Sequence, residues 1–331
     1  MSLSVGTWYF CTSANLQYRL DSGKITHHTN KQRPLAVRQI ASYLRGVISI
    51  LAVIIHTLIL GVFLFLSVLL RLITPPSLAR RFANPLIVEV ALIWVGGILW
   101  WMRHVHRLDV SVDHDIELSM DQWNMIIANH QSWLDIFILF FATYRRIPVM
   151  KFFIKRELIW IPIAGVAWWA LDYPFMSRYS KAYLAKHPEK AGQDLITTQQ
   201  ACEKFSLEPT TVVNFLEGTR FTPEKHRKQQ SPYRHLLKPK AGGIAFALQA
   251  LGEKFNTVID ASIHYQGKAP STWDMACGNV GKITLQMRKL DVPERFMSMD
   301  YINNESDRVT FQNWTSELWQ RKDQILDKLD R

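Results

Sequence analysis

Residues 123–135 read Trp-Asn-Met-Ile-Ile-Ala-Asn-His-Gln-Ser-Trp-Leu-Asp. Trp123 to Ala128 is a short apolar run of strand character, and Trp133 to Tyr144 behind it has the length and apolar content of a helix. Between them sit four polar residues, Asn129 to Ser132. A strand that turns at once into a helix is the repeating unit of an α/β fold. Ser132 followed three residues later by Asp135 reads as a capping box that opens the helix. Two readings of the pair His130 and Asp135 stay open on this stretch alone. In one, His130 is a strand-end histidine bonded to backbone and Asp135 a helix cap. In the other, His130 is a general base and Asp135 holds its tautomer, since imidazole can accept a hydroxyl proton near neutral pH. No Ser or Cys nucleophile lies beside the pair in sequence, which favours direct attack by a substrate hydroxyl over a covalent enzyme intermediate.

The segments on either side repeat the pattern. His106 to Leu118 alternates like a strand. Val212 to Leu216, Val258 to Tyr265 and Lys282 to Leu290 read as further strands, and Gly243 to Leu251 and Val309 to Leu329 as helices. Strands alternating with helices predict an α/β domain, a largely parallel sheet flanked by helices. No internal repeat or low-complexity segment interrupts it.

The N-terminal third has a different texture. Residues 46–70 form a run of 25 without Lys, Arg, Asp or Glu. As a helix the run reaches roughly 37 Å, more than the roughly 30 Å hydrocarbon core of a bilayer, and it starts too late and runs too long for a signal peptide. A break at Pro75-Pro76 leads to a second apolar stretch, Pro85 to Met102, which carries Glu89 and the pair Trp100-Trp101. The α/β domain is thus preceded by an N-terminal membrane helix or a two-helix hairpin. Lys31, Arg33, Arg38 and Arg45 precede the pair, Arg71, Arg80 and Arg81 lie between its members, and Arg103 and Arg107 follow. This distribution gives no single orientation by the positive-inside rule. The expected organisation is a polar tail over 1–40, membrane-anchoring helices over 41–103 and a globular domain over 104–331.

Composition narrows the partners. Lys and Arg number 39 against 28 Asp and Glu, a net charge of +11, and there are 12 Trp. Excess positive charge implies an anionic partner, and Trp is favoured at membrane interfaces. No nucleic-acid-binding motif accompanies the charge. Cys11, Cys202 and Cys277 show no paired spacing, which argues against a disulfide framework and a structural zinc site and for a reducing cytoplasm. Alternation along one strand accounts for His104, His106, His114 and Asp113 better than a metal site does. The uncharged run Leu158 to Leu171, with Trp160, Trp168 and Trp169, is too short to span. It reads as a buried helix of the domain or as an interfacial element lining an apolar route. Pro223 to Lys240 reads as a basic loop, either solvated or directed at phosphates or anionic headgroups.

A second chemical segment is Asn214-Phe215-Leu216-Glu217-Gly218-Thr219-Arg220. Here a strand ends in a Gly turn followed by Arg. Gly lets backbone N–H groups approach an anion, and Arg can clamp a phosphate bidentately. Strand–Gly–Arg turns are common, so this segment says little alone.

Together these segments resemble the 1-acylglycerol-3-phosphate acyltransferase family of glycerolipid acyltransferases. The family's N-H-x-S-x-x-D motif is matched by Asn129, His130, Ser132 and Asp135, and its F-x-E-G-T-R block by Phe215, Glu217, Gly218, Thr219 and Arg220. Between them come Lys155, Glu157, Leu158, Pro162 and Gly165, then Phe175 and Arg178. The resemblance covers roughly residues 45–331. It looks strongest to a less-characterised bacterial branch, in which Tyr173 to Ser180 and Cys202 to Phe205 are typical. One block departs: Val258 to Ile263 lacks the Pro that the family usually carries there.

The resemblance implies an α/β enzyme in which His130 deprotonates the free sn-2 hydroxyl of lysophosphatidic acid and Asp135 orients His130. The acyl group would come from acyl-CoA or acyl-carrier protein, giving phosphatidic acid. It further implies that Arg220 binds the acceptor's phosphate, with Glu217, Gly218 and Thr219 forming its turn and with Arg178 and Lys155 as helpers. It implies no metal and no redox cofactor, because the thioester is already activated. The expected location is a bacterial inner membrane, with the catalytic domain facing the cytoplasm. Two alternatives remain: an acyltransferase acting on another lysophospholipid in membrane remodelling, and a non-catalytic membrane-anchored protein that binds anions.

Overall fold

The computed structural model describes residues 20–21, 24–25, 35–176, 186–187, 205, 207–301 and 303–331. Two compact units follow one another in the chain, residues 1–44 and 45–331. In the first, Leu20–Asp21 pairs antiparallel with Lys24–Ile25.

Helix α1 (Leu35–Ile73) contains the whole uncharged run 46–70. Pro75 separates it from a short helical lead-in, Pro76–Leu78 and a π-turn Ala79–Ala83, that merges into helix α2 (Asn84–His104). Pro ends α1 because it has no N–H to donate and biases the residue before it away from helical geometry. Val37–Ile73 and Pro76–His104 are each long and apolar enough to cross a membrane. Within the second unit, Leu64 and Val68 of α1 pack with Ile87 and Val90 of α2, and Trp94 Nε1 donates to Thr57 Oγ1 at 2.9 Å. The remaining α1 surface, including Ile55, Leu58, Ile59 and Val62, is exposed and apolar.

The sheet has six strands: β1 (Val110–His114), β2 (Trp123–Ala128), β3 (Met150–Phe152), β4 (Thr211–Phe215), β5 (Phe255–Tyr265) and β6 (Ile283–Lys289). Their spatial order is β1-β6-β5-β2-β4-β3. All pairings are parallel except β5 with β6. The sheet is therefore mostly parallel and mixed, with helices against it, as the alternation of strands and helices predicts. Burial explains the composition. Met125 to Ala128 in β2 and Ile259, Ala261 and Ile263 in β5 are at or near zero exposure, which is the near-continuous apolar run expected of strands covered on both faces. Each Met or Ile among them contributes about 1.5–3 kcal/mol by leaving water. Edge strand β1 is mostly exposed.

Helix α3 (Leu134–Thr143) follows β2 and buries Leu134, Ile138 and Leu139 against the sheet. On the other face lie α6 (Gly242–Leu251) and the C-terminal helix α8 (Glu305–Leu329), joined through Phe296, Phe311, Leu318 and Trp319. Their intervening neighbours are α4 (Ala164–Ala170), α5 (Pro223–Gln229) and α7 (Thr272–Cys277).

Three expectations need correction. Leu158 to Leu171 is not one helix: a 3-10 turn, Arg156–Trp160, precedes α4. Pro162 and the left-handed Ile163 (φ 64) break the run, and Trp160 is 86% exposed. Gly165 permits the break, because a Cβ there would lie 1.9 Å from the Ile159 carbonyl oxygen. Secondly, the basic stretch from Pro223 begins as a helix, not a loop: Thr222 caps α5 by accepting from Lys225 N at 3.2 Å. Thirdly, the strand expected over His106 to Leu118 shrinks to β1. Helix α2 runs on to His104, and Arg107 turns the chain in the left-handed region (φ 53).

Candidate active site

Strands β2 and β4 are parallel neighbours, and Ala128 pairs with Phe215. Their C-terminal ends therefore open side by side, where open α/β sheets place ligands. The turn after β2 carries His130 and the turn after β4 carries Glu217 to Arg220. Backbone bonds hold the two together: Leu216 N donates to Ala128 O at 3.2 Å and Phe221 N to His130 O at 2.7 Å. The apolar strands thus bring together two motifs that lie more than 80 residues apart in sequence.

The first turn is closed by side-chain to backbone bonds. Fully buried Asn129 bridges to β5, donating from Nδ2 to Ile263 O at 2.9 Å and accepting from Ile263 N at 2.8 Å. Asp135, also fully buried, accepts at Oδ2 from Gln131 N at 2.6 Å, Ser132 N at 2.9 Å and His130 Nδ1 at 2.8 Å. Its Oδ1 accepts from the Tyr265 hydroxyl at 2.5 Å. Only half of the expected capping box forms. The Asp135 carboxylate reaches back to Ser132 N, but the Ser132 hydroxyl donates to Pro270 O at 2.7 Å and accepts from Leu134 N at 3.2 Å.

A carboxylate is an acceptor, so Nδ1 of His130 carries the proton and Nε2 is left with a lone pair. No described residue bonds Nε2. The imidazole lies 4.0 Å from the Phe215 ring at 16°, and Phe215 stacks in turn on Phe152 at 5.9 Å. Ring orientation is thereby fixed from one edge and one face.

Glu217 lies beneath the histidine turn. It is fully buried, with Oε1 accepting from His130 N at 3.0 Å and Oε2 from Leu237 N at 3.1 Å. Burial pushes its carboxyl up to about 8 against the pull of those two N–H groups. It braces the histidine turn from beneath rather than facing a ligand. Behind it, fully buried Lys322 of α8 donates to Ala261 O at 2.6 Å and forms an ion pair with Asp260 of β5. Asp260 lies in the segment that lacks the family's usual Pro, and Arg288 reaches the same carboxylate at 3.4 Å.

The second turn is more open. Gly218 sits at φ +64, where a side chain would be strained. Thr219 Oγ1 accepts from Lys225 Nζ at 2.8 Å. The Arg220 guanidinium lies 4.8 Å over the Trp133 ring, and cation–π attraction holds it beside His130. Lys155 is half exposed and paired with Glu157 at 3.2 Å. Arg178 lies outside the described residues, as do Cys11 and Cys202. His104 bonds Trp100 O, His106 faces Ser49 and Trp101, and His114 faces Arg146, so these histidines take separate partners.

A cavity of about 650 Å³ starts at this site. Its lining includes His130, Gly218, Thr219 and Arg220 of the two turns, Lys155, and Leu64, Val90, Ala167 and Leu171 of the helices. The lining is therefore mostly apolar, with a few basic groups. The motifs did not point to Tyr265, Trp133 or Phe215 as partners of the pair. Trp133 and Phe215 sit within motif blocks, whereas Tyr265 carries no local signal.

Residues 109–265, which hold His130, Asp135, Glu217, Arg220 and Tyr265, match the family model described as Acyltransferase. The relatives include 1-acyl-sn-glycerol-3-phosphate acyltransferases. Acyltransferase 3 of Arabidopsis thaliana is 26% identical over 272 residues, covering 76% of this chain and 65% of the relative. The gamma enzyme of Mus musculus is 25% identical over 218 residues, 61% of this chain and 52% of the relative. The chain thus matches between about half and two thirds of those relatives' lengths. The crystal structure of the 1-acyl-sn-glycerophosphate (LPA) acyltransferase PlsC from Thermotoga maritima shares the fold: TM-score 0.51, 18% identity, 88% of this chain and 98% of that one.

Proposed function

We propose that the protein transfers a fatty acyl group from a thioester, acyl-CoA or acyl-carrier protein, to the free sn-2 hydroxyl of lysophosphatidic acid. The observation that carries this reading is His130: Nδ1 is held by Asp135, no described residue bonds Nε2, and the imidazole lines a mostly apolar cavity that also holds Arg220 and Lys155. Nε2 takes the hydroxyl proton as the acceptor oxygen attacks the thioester carbon. Asp135 stabilises the imidazolium that forms. The C–S bond then breaks, and the imidazolium returns the proton to the leaving sulfur. Arg220 is the partner for the acceptor's phosphate, with Thr219 next to it in the turn and Lys155 also in the lining, and the apolar remainder suits a hydrocarbon chain. Such a transfer needs no metal or redox cofactor, since the thioester supplies the activation.

Helices α1 and α2 anchor the enzyme in this reading, because their exposed apolar surface is costly in water and both have spanning length. The domain boundaries proposed are a tail over 1–40, an anchor over 41–103 and a catalytic domain over 104–331, the last at the cytoplasmic face of a bacterial inner membrane. The test is purified protein in detergent with a panel of lysolipids and acyl-CoA lengths, products read by mass spectrometry. Phosphatidic acid is expected, and His130→Ala lowers its formation by roughly 10²–10⁴. Wild-type rates in His130→Ala would sink the base assignment. A preference for another lysophospholipid would move the acceptor assignment, and no acylated lipid from any acceptor would sink the reading.

A further inference from the structure

We propose that Tyr265 is a positioning residue for the proton transfer: its hydroxyl fixes the second oxygen of Asp135, so that the first stays aimed at His130. This rests on the acyl-transfer reading above. Tyr265 is the last residue of β5, three per cent exposed, with its hydroxyl 2.5 Å from Asp135 Oδ1. It does not line the cavity, so it touches neither substrate.

The case is one of counting donors. Asp135 Oδ2 already takes three, from His130 Nδ1 and the backbone of Gln131 and Ser132. Among the described residues Oδ1 takes one, Tyr265. A buried carboxylate oxygen without a donor costs the full desolvation of that atom, so without the phenol the carboxylate gains by turning. Turning would take Oδ2 off Nδ1. The phenol is a dependable donor: burial, and then the Asp135 charge beside it, hold its proton well above the usual tyrosine range. The other charged or titratable groups around the pair are Glu217 beneath His130 N, Arg220 over Trp133 and Lys155 in the cavity lining. None of these reaches Oδ1.

Once the carboxylate has turned off Nδ1, the imidazole loses its anionic partner and becomes less basic. Tyr265→Phe removes only the hydroxyl. It is expected to lower kcat about tenfold, leave KM for both substrates unchanged, and move the acid limb of the kcat/KM–pH profile downward. Placing 3-fluorotyrosine at 265, a donor of nearly the same shape, is expected to keep kcat near the wild-type value, and a loss there as large as in the Phe variant would count against the proposal. The second readout needs no substrate: the pH midpoint of diethyl pyrocarbonate modification at His130, followed by peptide mass spectrometry. A displaced midpoint in Tyr265→Phe supports the proposal even if the wild type transfers no acyl group, a result that would sink the functional reading alone. An unmoved midpoint with an unmoved acid limb overturns it, as does a change confined to KM.

Discussion

The two turns at the ends of β2 and β4 are neighbours of opposite character. In the turn 129–135, the side chains of Asn129, Ser132 and Asp135 are all committed. Asn129 ties to β5, Asp135 receives four donors, and Ser132 bonds to Pro270. In the turn 216–220, Glu217 faces inward, but Thr219 and Arg220 line the cavity, and the Arg220 guanidinium rests on the Trp133 ring. The difference fits the chemistry that the proposed reaction would ask of each turn. A base must hold one orientation throughout proton transfer, because misplacement is costly in rate. A cation that receives a mobile phosphate gains by staying hydrated until the ligand arrives, since burying it early would cost desolvation.

The sharpest break comes at the closed turn. Asp135→Asn keeps the shape but presents an amide N–H toward Nδ1, which favours the tautomer with Nε2 protonated. Acyl transfer is expected to fall roughly 10²–10⁴-fold, mostly in kcat. Steady-state kinetics check this, and a fall confined to KM would mean that the pair binds rather than transfers protons. Arg220→Ala, at the open turn, is expected to raise KM for lysophosphatidic acid by about 10–100-fold, the worth of one charge-assisted hydrogen bond. The same substitution should change KM little for an acceptor without a phosphomonoester. Equal effects on both acceptors would remove its phosphate role.

The smallest effect concerns what braces one turn against the other. Glu217 is held up to about 8 by burial, against about 4.3 in an unfolded chain. The folded state therefore binds this proton more tightly. The stability that follows is complete below the lower value and is lost as pH rises toward the higher one. Glu217→Gln cannot ionise. Its thermal unfolding in detergent is expected to lose less stability than wild type between about pH 5 and 8. Parallel curves would mean that Glu217 is ionised throughout that range.

The closed turn was the more legible of the two in sequence, and the reason is local. His130 and Asp135 are five residues apart, so strand end, turn and helix start bring them together without help. Glu217 was legible as a motif member but not as a buried brace. Its partners, His130 N and Leu237 N, lie 87 and 20 residues away. The run 158–171 misled because hydropathy sees its apolar residues but not the left-handed Ile163 or the contact that requires Gly165. The helix from Pro223 was hidden by its charge, although Thr222 before Pro223 was a start signal already present.

By itself, the sequence determined the alternation of strands and helices, the two long apolar helices and the pairing of two motif blocks. Each of these is a local or periodic property, written in residue order. Only the tertiary structure decided that β2 and β4 are neighbours with ends in register, that Arg220 rests on Trp133, and that Tyr265 completes Asp135 from 130 residues away. Those depend on which strands pair and on which buried polar atom finds which donor. Burial leaves such atoms no water to fall back on, so the partners had to come from wherever the fold brought one within reach.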